Sequence, residues 1–102
     1  MSIVMYMTWD GATKEQYDAM RKEVKWETEL PAGGIYHVAS FNDNGLRITD
    51  VWESPEHFNN FIEKKINPAV QKLGIPGQPE VEIYPVHAIN ATAYKGKGGP
   101  GA

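Results

Sequence analysis

The pattern of apolar and polar positions predicts a strand and then a helix at the start of the chain. Residues 3–9 are rich in β-branched and aromatic side chains and stop before an aspartate–glycine pair, which is typical of a strand. A helix is predicted from about residue 14 to residue 25, where Thr13 can cap the first turn and Gln16 can complete a capping box. Its buried stripe consists of Tyr17, Met20 and Val24.

The middle of the chain predicts a β-hairpin. One strand is expected at residues 35–41 and the other at residues 46–53, and both are rich in β-branched and aromatic residues. Asn44-Gly45 lies between them and is a strong hairpin signal, because both residues tolerate positive φ. The chain therefore continues with two antiparallel strands after the first helix.

A second helix is predicted to follow the hairpin. Ser54 can cap it, and Pro55 fits its first position, where a missing N–H is harmless. Pro68 falls inside the helical pattern and is expected to kink or interrupt the helix near Ile66. The predicted inner face contains Phe58, Phe61, Ile62, Ile66, Ala69, Val70 and Leu73. A last strand is expected at residues 80–89.

The order β-α-β-β-α-β predicts an α+β domain of the ferredoxin-like type. This arrangement is a four-stranded antiparallel sheet with both helices on one face. The length of 102 residues fits one domain, which we assign to residues 1–90. Residues 91–102 are low in complexity and rich in glycine, and we expect a flexible C-terminal tail there.

The predicted strands carry apolar residues on both of their faces. On the first strand, for example, one set is Ile3, Met5, Met7 and Trp9, and the other is Val4 and Tyr6. Helices cover only one face of such a sheet, so the other face needs a different cover. A second copy of the chain is the simplest cover, and we expect a homodimer through the sheet faces, which makes a dimeric α/β barrel. The alternative is a monomer with an apolar exposed face.

Composition removes several classes of function. The chain has no cysteine, which excludes disulfides, thiolate nucleophiles and iron–sulfur clusters and fits a reducing cytoplasm. Its net charge is -3 and its basic residues form no patch, so we expect no nucleic-acid partner. No apolar run approaches the roughly 20 residues that span a bilayer, so we expect no membrane partner.

His37 and Asp50 form the sharpest candidate site. The predicted turn sets His37 opposite Trp52 and leaves His37 and Asp50 as diagonal neighbours on one face. A register shifted by one residue would pair them directly and keep them on one face. A carboxylate beside an imidazole fixes its tautomer, as a general base requires. The alternative is a hydrogen bond that only satisfies two inward polar groups.

Aromatic side chains near this pair can line a pocket for a flat organic molecule. The predicted substrate-binding residues are Trp52, Tyr36, Trp9, Phe41 and His87. Plain core packing is the alternative for the rings, and an exposed or dimer-contact position is the alternative for His87. A metal held by His87 and the His37–Asp50 pair has suitable ligand types, but no local spacing such as His-x-Asp supports it, and no metal is predicted.

Three segments and one helix resemble the dimeric α/β-barrel superfamily, in its antibiotic-biosynthesis-monooxygenase-like and stress-responsive groups. They are residues 34–38, residues 45–54, residues 80–87 and the helix that carries Phe58 and Phe61. The resemblance extends over residues 2–89 and is greatest to small uncharacterised bacterial members. It implies a ferredoxin-like dimer and leaves the chemistry open, because the superfamily includes cofactor-free oxygenases, haem-degrading enzymes, polyketide cyclases, isomerases and proteins without known activity.

Three functions are compatible with this resemblance. The first is a cofactor-independent monooxygenase, cyclase or isomerase that acts on a small apolar or aromatic, polyketide-like molecule, with His37 as base and Asp50 orienting it. The second is a non-catalytic ligand-binding or stress-related barrel protein. A pure assembly module is a third. No cofactor is predicted, because the sequence has no phosphate loop or dinucleotide fingerprint and His57 is only a loose match to the haem ligand of the haem-degrading relatives.

Overall fold

A computed structural model describes residues 1–90 of the chain. Its elements, in chain order, are β1 (Ile3–Asp10), α1 (Lys14–Val24), β2 (Gly34–Asn42), β3 (Gly45–Trp52), α2 (Pro55–Phe61), a π-helical turn (Ile62–Ile66), α3 (Asn67–Leu73) and β4 (Glu80–Pro85). The predicted order β-α-β-β-α-β is confirmed, because α2, the π-helical turn and α3 follow one another as a single helical segment. The tail predicted at residues 91–102 lies outside the described residues.

The four strands form one antiparallel sheet in the order β2-β3-β1-β4, which is the predicted ferredoxin-like arrangement. β1 is an interior strand, and its alternate side chains point to opposite faces. The core lies between one face of the sheet and the helices. Its members from β1 are Ile3, Met5, Met7 and Trp9, and those from the helices are Met20, Val24, Phe58 and Ala69.

The hairpin turn lies one residue earlier than predicted, so the alternative register is the correct one. Asn42 pairs with Gly45, and His37 lies directly opposite Asp50. The Asn42 side-chain oxygen accepts hydrogen bonds from the backbone N–H groups of Asn44 (2.8 Å) and Gly45 (3.1 Å). An asparagine side chain that bonds to the backbone two and three residues further on stabilises a turn at that point. This turn sets the register of the whole hairpin.

Gly45 is needed for a close backbone contact. A Cβ atom at this position would lie 2.4 Å from the Trp9 carbonyl oxygen, which is too close for any side chain. The backbone N–H of Gly11 donates to the Asn44 carbonyl over 2.8 Å in the same region. The hairpin turn is therefore joined to the end of β1.

α1 begins as the sequence predicted. The Thr13 hydroxyl accepts from the Gln16 backbone N–H (3.1 Å), and the Gln16 side-chain oxygen accepts from the Thr13 backbone N–H (2.9 Å). The helix ends at Val24, because Lys25 adopts a left-handed conformation with φ of 56°. Met20 and Val24 are the buried residues of α1, and Tyr17 lies on the same side of the helix and packs against the core.

The second helical segment contains the predicted interruption near Ile66. The backbone N–H of Asn67 donates to the carbonyl of Ile62, five residues earlier, and this widens the helix just before Pro68. Pro68 has no N–H, and its ring would clash with a carbonyl in a regular helix. Leu73 is the last residue of α3, next to the left-handed Gly74 that ends the helix, and it is 38% exposed, so its predicted inner position is wrong. Within residues 1–90, no helix has the length and apolar character that crossing a membrane requires.

β4 ends at Pro85 and not at Ile89 as predicted. Its only neighbour is β1, and Pro85 pairs with Ile3, the first residue of that strand. Beyond Pro85, the backbone N–H of Val86 still donates to the Ser2 carbonyl over 3.0 Å, but Ser2 precedes the first residue of β1 and the ladder ends there. Ile89 is consequently outside the sheet and half exposed.

The helix-free face of the sheet carries exposed apolar side chains. Tyr6 is 44% exposed, Val38 45% and Tyr84 49%, and they lie on β1, β2 and β4 respectively. The rings of Tyr6 and Tyr84 lie 6.2 Å apart. The apolar character predicted for both faces of the sheet is therefore present in the folded chain.

Candidate active site

His37 and Asp50 are brought together on the face of the sheet that packs against the helices. The two residues are direct partners across β2 and β3. The Nδ1 atom of His37 lies 2.6 Å from Oδ1 of Asp50, and the two side chains are 8% and 6% exposed. A pair this buried is held in one orientation, since neither group can turn to water.

Trp52 completes the environment of the Asp50 carboxylate. Its Nε1–H donates to Oδ2 of Asp50 over 3.1 Å, and its side chain is among the most deeply buried in residues 1–90. Each carboxylate oxygen thus accepts one hydrogen bond, which offsets the cost of burying the group. An ionised carboxylate only accepts, so Nδ1 of His37 carries a proton, and Nε2 is the acceptor when the imidazole is neutral.

Tyr17 is the group that faces this acceptor. Its hydroxyl oxygen lies 2.6 Å from Nε2 of His37, so the phenol donates to the imidazole. Burial raises the pKa of Tyr17 to about 12, and the Asp50 carboxylate adds to the rise, while the Arg21 guanidinium acts against it. The hydroxyl therefore keeps its proton near neutral pH. The result is a hydrogen-bonded chain of four side chains: Tyr17, His37, Asp50 and Trp52.

A cavity of about 80 Å³ lies between the sheet and the helices beside this chain. Tyr17, His37 and Asp50 are among the polar residues that line it. Most of the wall is apolar, and representative residues are Met5, Met7, Met20, Trp26, Phe61 and Ile62. Drug-sized ligands occupy pockets of about 300 Å³ or more. The cavity as it stands therefore suits a smaller molecule, although flexible methionine side chains can adapt to a larger one.

The predicted aromatic residues have different positions relative to this cavity. Trp9 lines it and donates from Nε1 to the Pro76 carbonyl over 3.2 Å. Trp52 lies behind the Asp50 carboxylate and holds it in place through a hydrogen bond. Its side chain does not form part of the cavity wall. The Phe41 ring packs edge-on against Tyr17 with 6.3 Å between centroids, also outside the wall.

Tyr36 and His87 do not join His37. They line a groove on the opposite, helix-free face of the sheet, together with Tyr6 and Val51. The three residues that were weighed as metal ligands are therefore not brought together, because the sheet separates His87 from the His37–Asp50 pair. Among residues 1–90, no group of three or more metal-binding side chains comes together.

The Tyr17 hydroxyl was missed as a chemical group when only the sequence was considered. Tyr17 was assigned to the apolar stripe of α1, where its hydroxyl was the one available signal. The Trp26 ring lies 4.5 Å from the His37 ring between centroids and lines the cavity. His57 lies elsewhere, at the start of α2, where its Nδ1 is 2.7 Å from the Ser54 hydroxyl.

Comparison with solved structures shows which proteins share this architecture. A protein of unknown function from Nitrosomonas europaea superposes with a TM-score of 0.67 at 11% identity, over 88% of this chain and 93% of that one. SnoaB, a cofactor-independent oxygenase from Streptomyces nogalater, gives 0.58 at 13% identity, over 86% and 93%. The chain therefore shares the ferredoxin-like fold of these proteins.

A third structure of this fold contains a ligand. The monooxygenase ActVA-Orf6 of Streptomyces coelicolor, in complex with nanaomycin D, superposes with a TM-score of 0.56 at 13% identity, over 88% of this chain and 90% of that one. No protein-family model matches the sequence, and no curated protein matches it either. At these identities the likeness establishes the fold, and the chemistry must be argued from the side chains.

Proposed function

We propose that this protein is a cofactor-independent enzyme that removes a proton from a small, largely apolar carbonyl or aromatic, polyketide-like molecule. His37 is the base and Asp50 orients it. Oxygenation, cyclisation and isomerisation of such molecules can all begin with loss of a proton from a carbon beside a carbonyl. The single observation that carries the proposal is the apolar cavity bordered by a buried His37–Asp50 pair with a bond of 2.6 Å.

The geometry supports a base in three ways. Asp50 holds the proton of His37 on Nδ1, which leaves Nε2 able to accept. The carboxylate also stabilises the imidazolium that forms when Nε2 accepts a proton. The apolar wall limits access of water to the reacting groups, which strengthens electrostatic interactions inside the cavity.

Hydrogen–deuterium exchange at carbon tests this function. The protein is incubated in deuterated water with cyclopentanone or acetophenone, and proton NMR follows the loss of the α-hydrogen signal. We expect the wild type to accelerate exchange and His37→Gln to lose the acceleration while the fold is retained. His87→Gln is the matched control, since His87 lies on the opposite face of the sheet. Equal rates for the wild type and His37→Gln would rule out His37 as the base.

A non-catalytic small-molecule-binding protein is the second candidate. It is favoured by the fact that Tyr17, His37, Asp50 and Trp52 already satisfy one another through hydrogen bonds. In this case the probe ketones would bind, with shifts of the NMR signals of cavity residues, and no exchange would occur. The same experiment therefore separates the two candidates.

We also propose that two copies associate through the helix-free face into a dimeric α/β barrel. Tyr6, Val38 and Tyr84 are exposed there in one copy, and a second sheet would remove this apolar area from water. Light scattering after size exclusion is expected to give twice the mass of one chain, and Val38→Glu is expected to give the monomer. A wild-type monomer at micromolar concentration would refute the dimer.

We also propose a cytoplasmic location, which is expected from the lack of cysteine and which cell fractionation tests.

A further inference from the structure

The Tyr17 hydroxyl lies beside Nε2 of His37, the nitrogen that is expected to accept a proton. Both of its ring nitrogens are occupied, with Nδ1 bonded to Asp50 and Nε2 bonded to the Tyr17 hydroxyl, each over 2.6 Å. Tyr17 and His37 both line the cavity. A molecule in the cavity that approaches Nε2 therefore meets the Tyr17 oxygen at the same point.

We infer that Tyr17 is a catalytic residue that exchanges the proton with the substrate, and that His37 acts through it. This inference rests on the proposed proton-transfer function. It gives Tyr17 the place that the nucleophilic serine has in a Ser-His-Asp triad, where an imidazole held by a carboxylate takes the hydroxyl proton. Here the phenol oxygen takes part in proton transfer and forms no covalent bond to the substrate.

The step is balanced without any other reactant. The Tyr17 oxygen takes the hydrogen from the carbon beside the substrate carbonyl, and the original Tyr17 proton passes to Nε2 of His37. The electron pair of the broken C–H bond moves into the carbonyl group and forms an enolate, while His37 becomes an imidazolium paired with Asp50. Reversal of both transfers returns a proton to the same carbon, or to another carbon of the conjugated system. The net result is exchange or isomerisation.

The three groups depend on one another for this transfer. A phenol with a pKa of about 12 holds its proton firmly and cannot act as a base by itself. It accepts the substrate hydrogen only if its own proton leaves at the same time, and the short bond to Nε2 provides that route. The Asp50 carboxylate, held by the Trp52 indole, then offsets the positive charge on the imidazole. Trp52 is thus a positioning residue that acts through Asp50.

Tyr17→Phe distinguishes this relay from direct attack by His37. The variant keeps the ring in the α1 stripe and removes only the hydroxyl. With the same probe ketones, the relay predicts that kcat for exchange falls by about 100-fold or more, while KM stays within a factor of about two of the wild-type value. If His37 took the hydrogen directly, loss of the hydroxyl would free Nε2, and kcat would be unchanged or higher. Thermal unfolding followed by circular dichroism confirms that the variant is folded.

The outcomes separate the relay from the proposed function. Exchange that is lost in both Tyr17→Phe and His37→Gln supports the relay. Exchange that is lost only in His37→Gln overturns the relay and leaves His37 as the base. A raised KM with unchanged kcat in Tyr17→Phe also overturns the relay, since the hydroxyl would then only bind the carbonyl. Absence of exchange in the wild type overturns both.

Discussion

Replacing Asp50 by alanine removes the acceptor of two buried donors at once. The Nδ1–H of His37 and the Nε1–H of Trp52 donate to this carboxylate over 2.6 and 3.1 Å. A buried donor left without a partner costs about 1–3 kcal/mol. His37 can move its proton to Nε2, but an indole has no second nitrogen. We therefore expect Asp50→Ala to lower the free energy of unfolding by about 3 kcal/mol, out of the roughly 5–15 kcal/mol typical of a domain.

Urea unfolding followed by tryptophan fluorescence measures this loss. Asp10→Ala is the matched control, because the Asp10 carboxylate is exposed and its ion pair with Arg47 (3.0 Å) lies at the surface. Such a pair contributes under about 1 kcal/mol. If the two variants lost the same free energy of unfolding, the idea that Asp50 supports buried donors would be refuted.

Asp50→Asn tests the same contacts through the tautomer of His37. The amide oxygen of asparagine must accept from Trp52, because an indole nitrogen only donates. The amide NH2 group then faces Nδ1 of His37, which has to become an acceptor. Nitrogen NMR of the imidazole is expected to report a shift of the proton from Nδ1 to Nε2. An unchanged tautomer would mean that Asp50 does not set the protonation of the ring.

Three further predictions follow from other contacts. Burial raises the pKa of Tyr17 from 10.0 to about 12, so its neutral hydroxyl contributes stability that is complete below pH 10.0 and is lost as the pH rises to about 12. In alkaline unfolding, Tyr17→Phe is expected to lack this loss of stability. Gly33→Ala is expected to cost more free energy of unfolding than Gly11→Ala, because both glycines have φ of 83° but only at Gly33 would a Cβ meet His57, at 2.3 Å. Thr13→Ala is expected to lower stability by about 1 kcal/mol in urea unfolding; no loss would mean that the cap is dispensable.

The sequence predicted those features that depend on local chemistry. Thr13 with Gln16 identifies the start of α1, Ser54 with Pro55 identifies the start of α2, and Pro68 identifies the interruption between α2 and α3. In each case a side chain interacts with backbone groups within four residues. The order of these elements was sufficient to predict the sheet.

Features that depend on competition between two turn signals, or on contacts between residues far apart in the sequence, were less predictable. The Asn-Gly pair is a standard turn signal, but the Asn42 side chain captures two backbone N–H groups and moves the turn by one residue. Helical periodicity places Tyr17 in an apolar stripe and cannot tell that its hydroxyl meets a histidine on β2. Strand alternation likewise predicts which face of the sheet Trp52 is on, but it does not give the distance from the cavity. The sequence therefore predicted contact with substrate, whereas Trp52 lies behind Asp50.

The π-helical turn at Ile62–Ile66 makes the second helical segment tolerant of a change in length at one place. Each residue of an α-helix adds about 100° of rotation, so a deletion elsewhere in α2 or α3 would turn Phe58 or Ala69 away from the core. A deletion within the π-helical turn would instead convert it to a regular turn and leave both residues facing the sheet, provided that Pro68 is also replaced. This chain can therefore lose one residue here, together with Pro68, and still keep the same core.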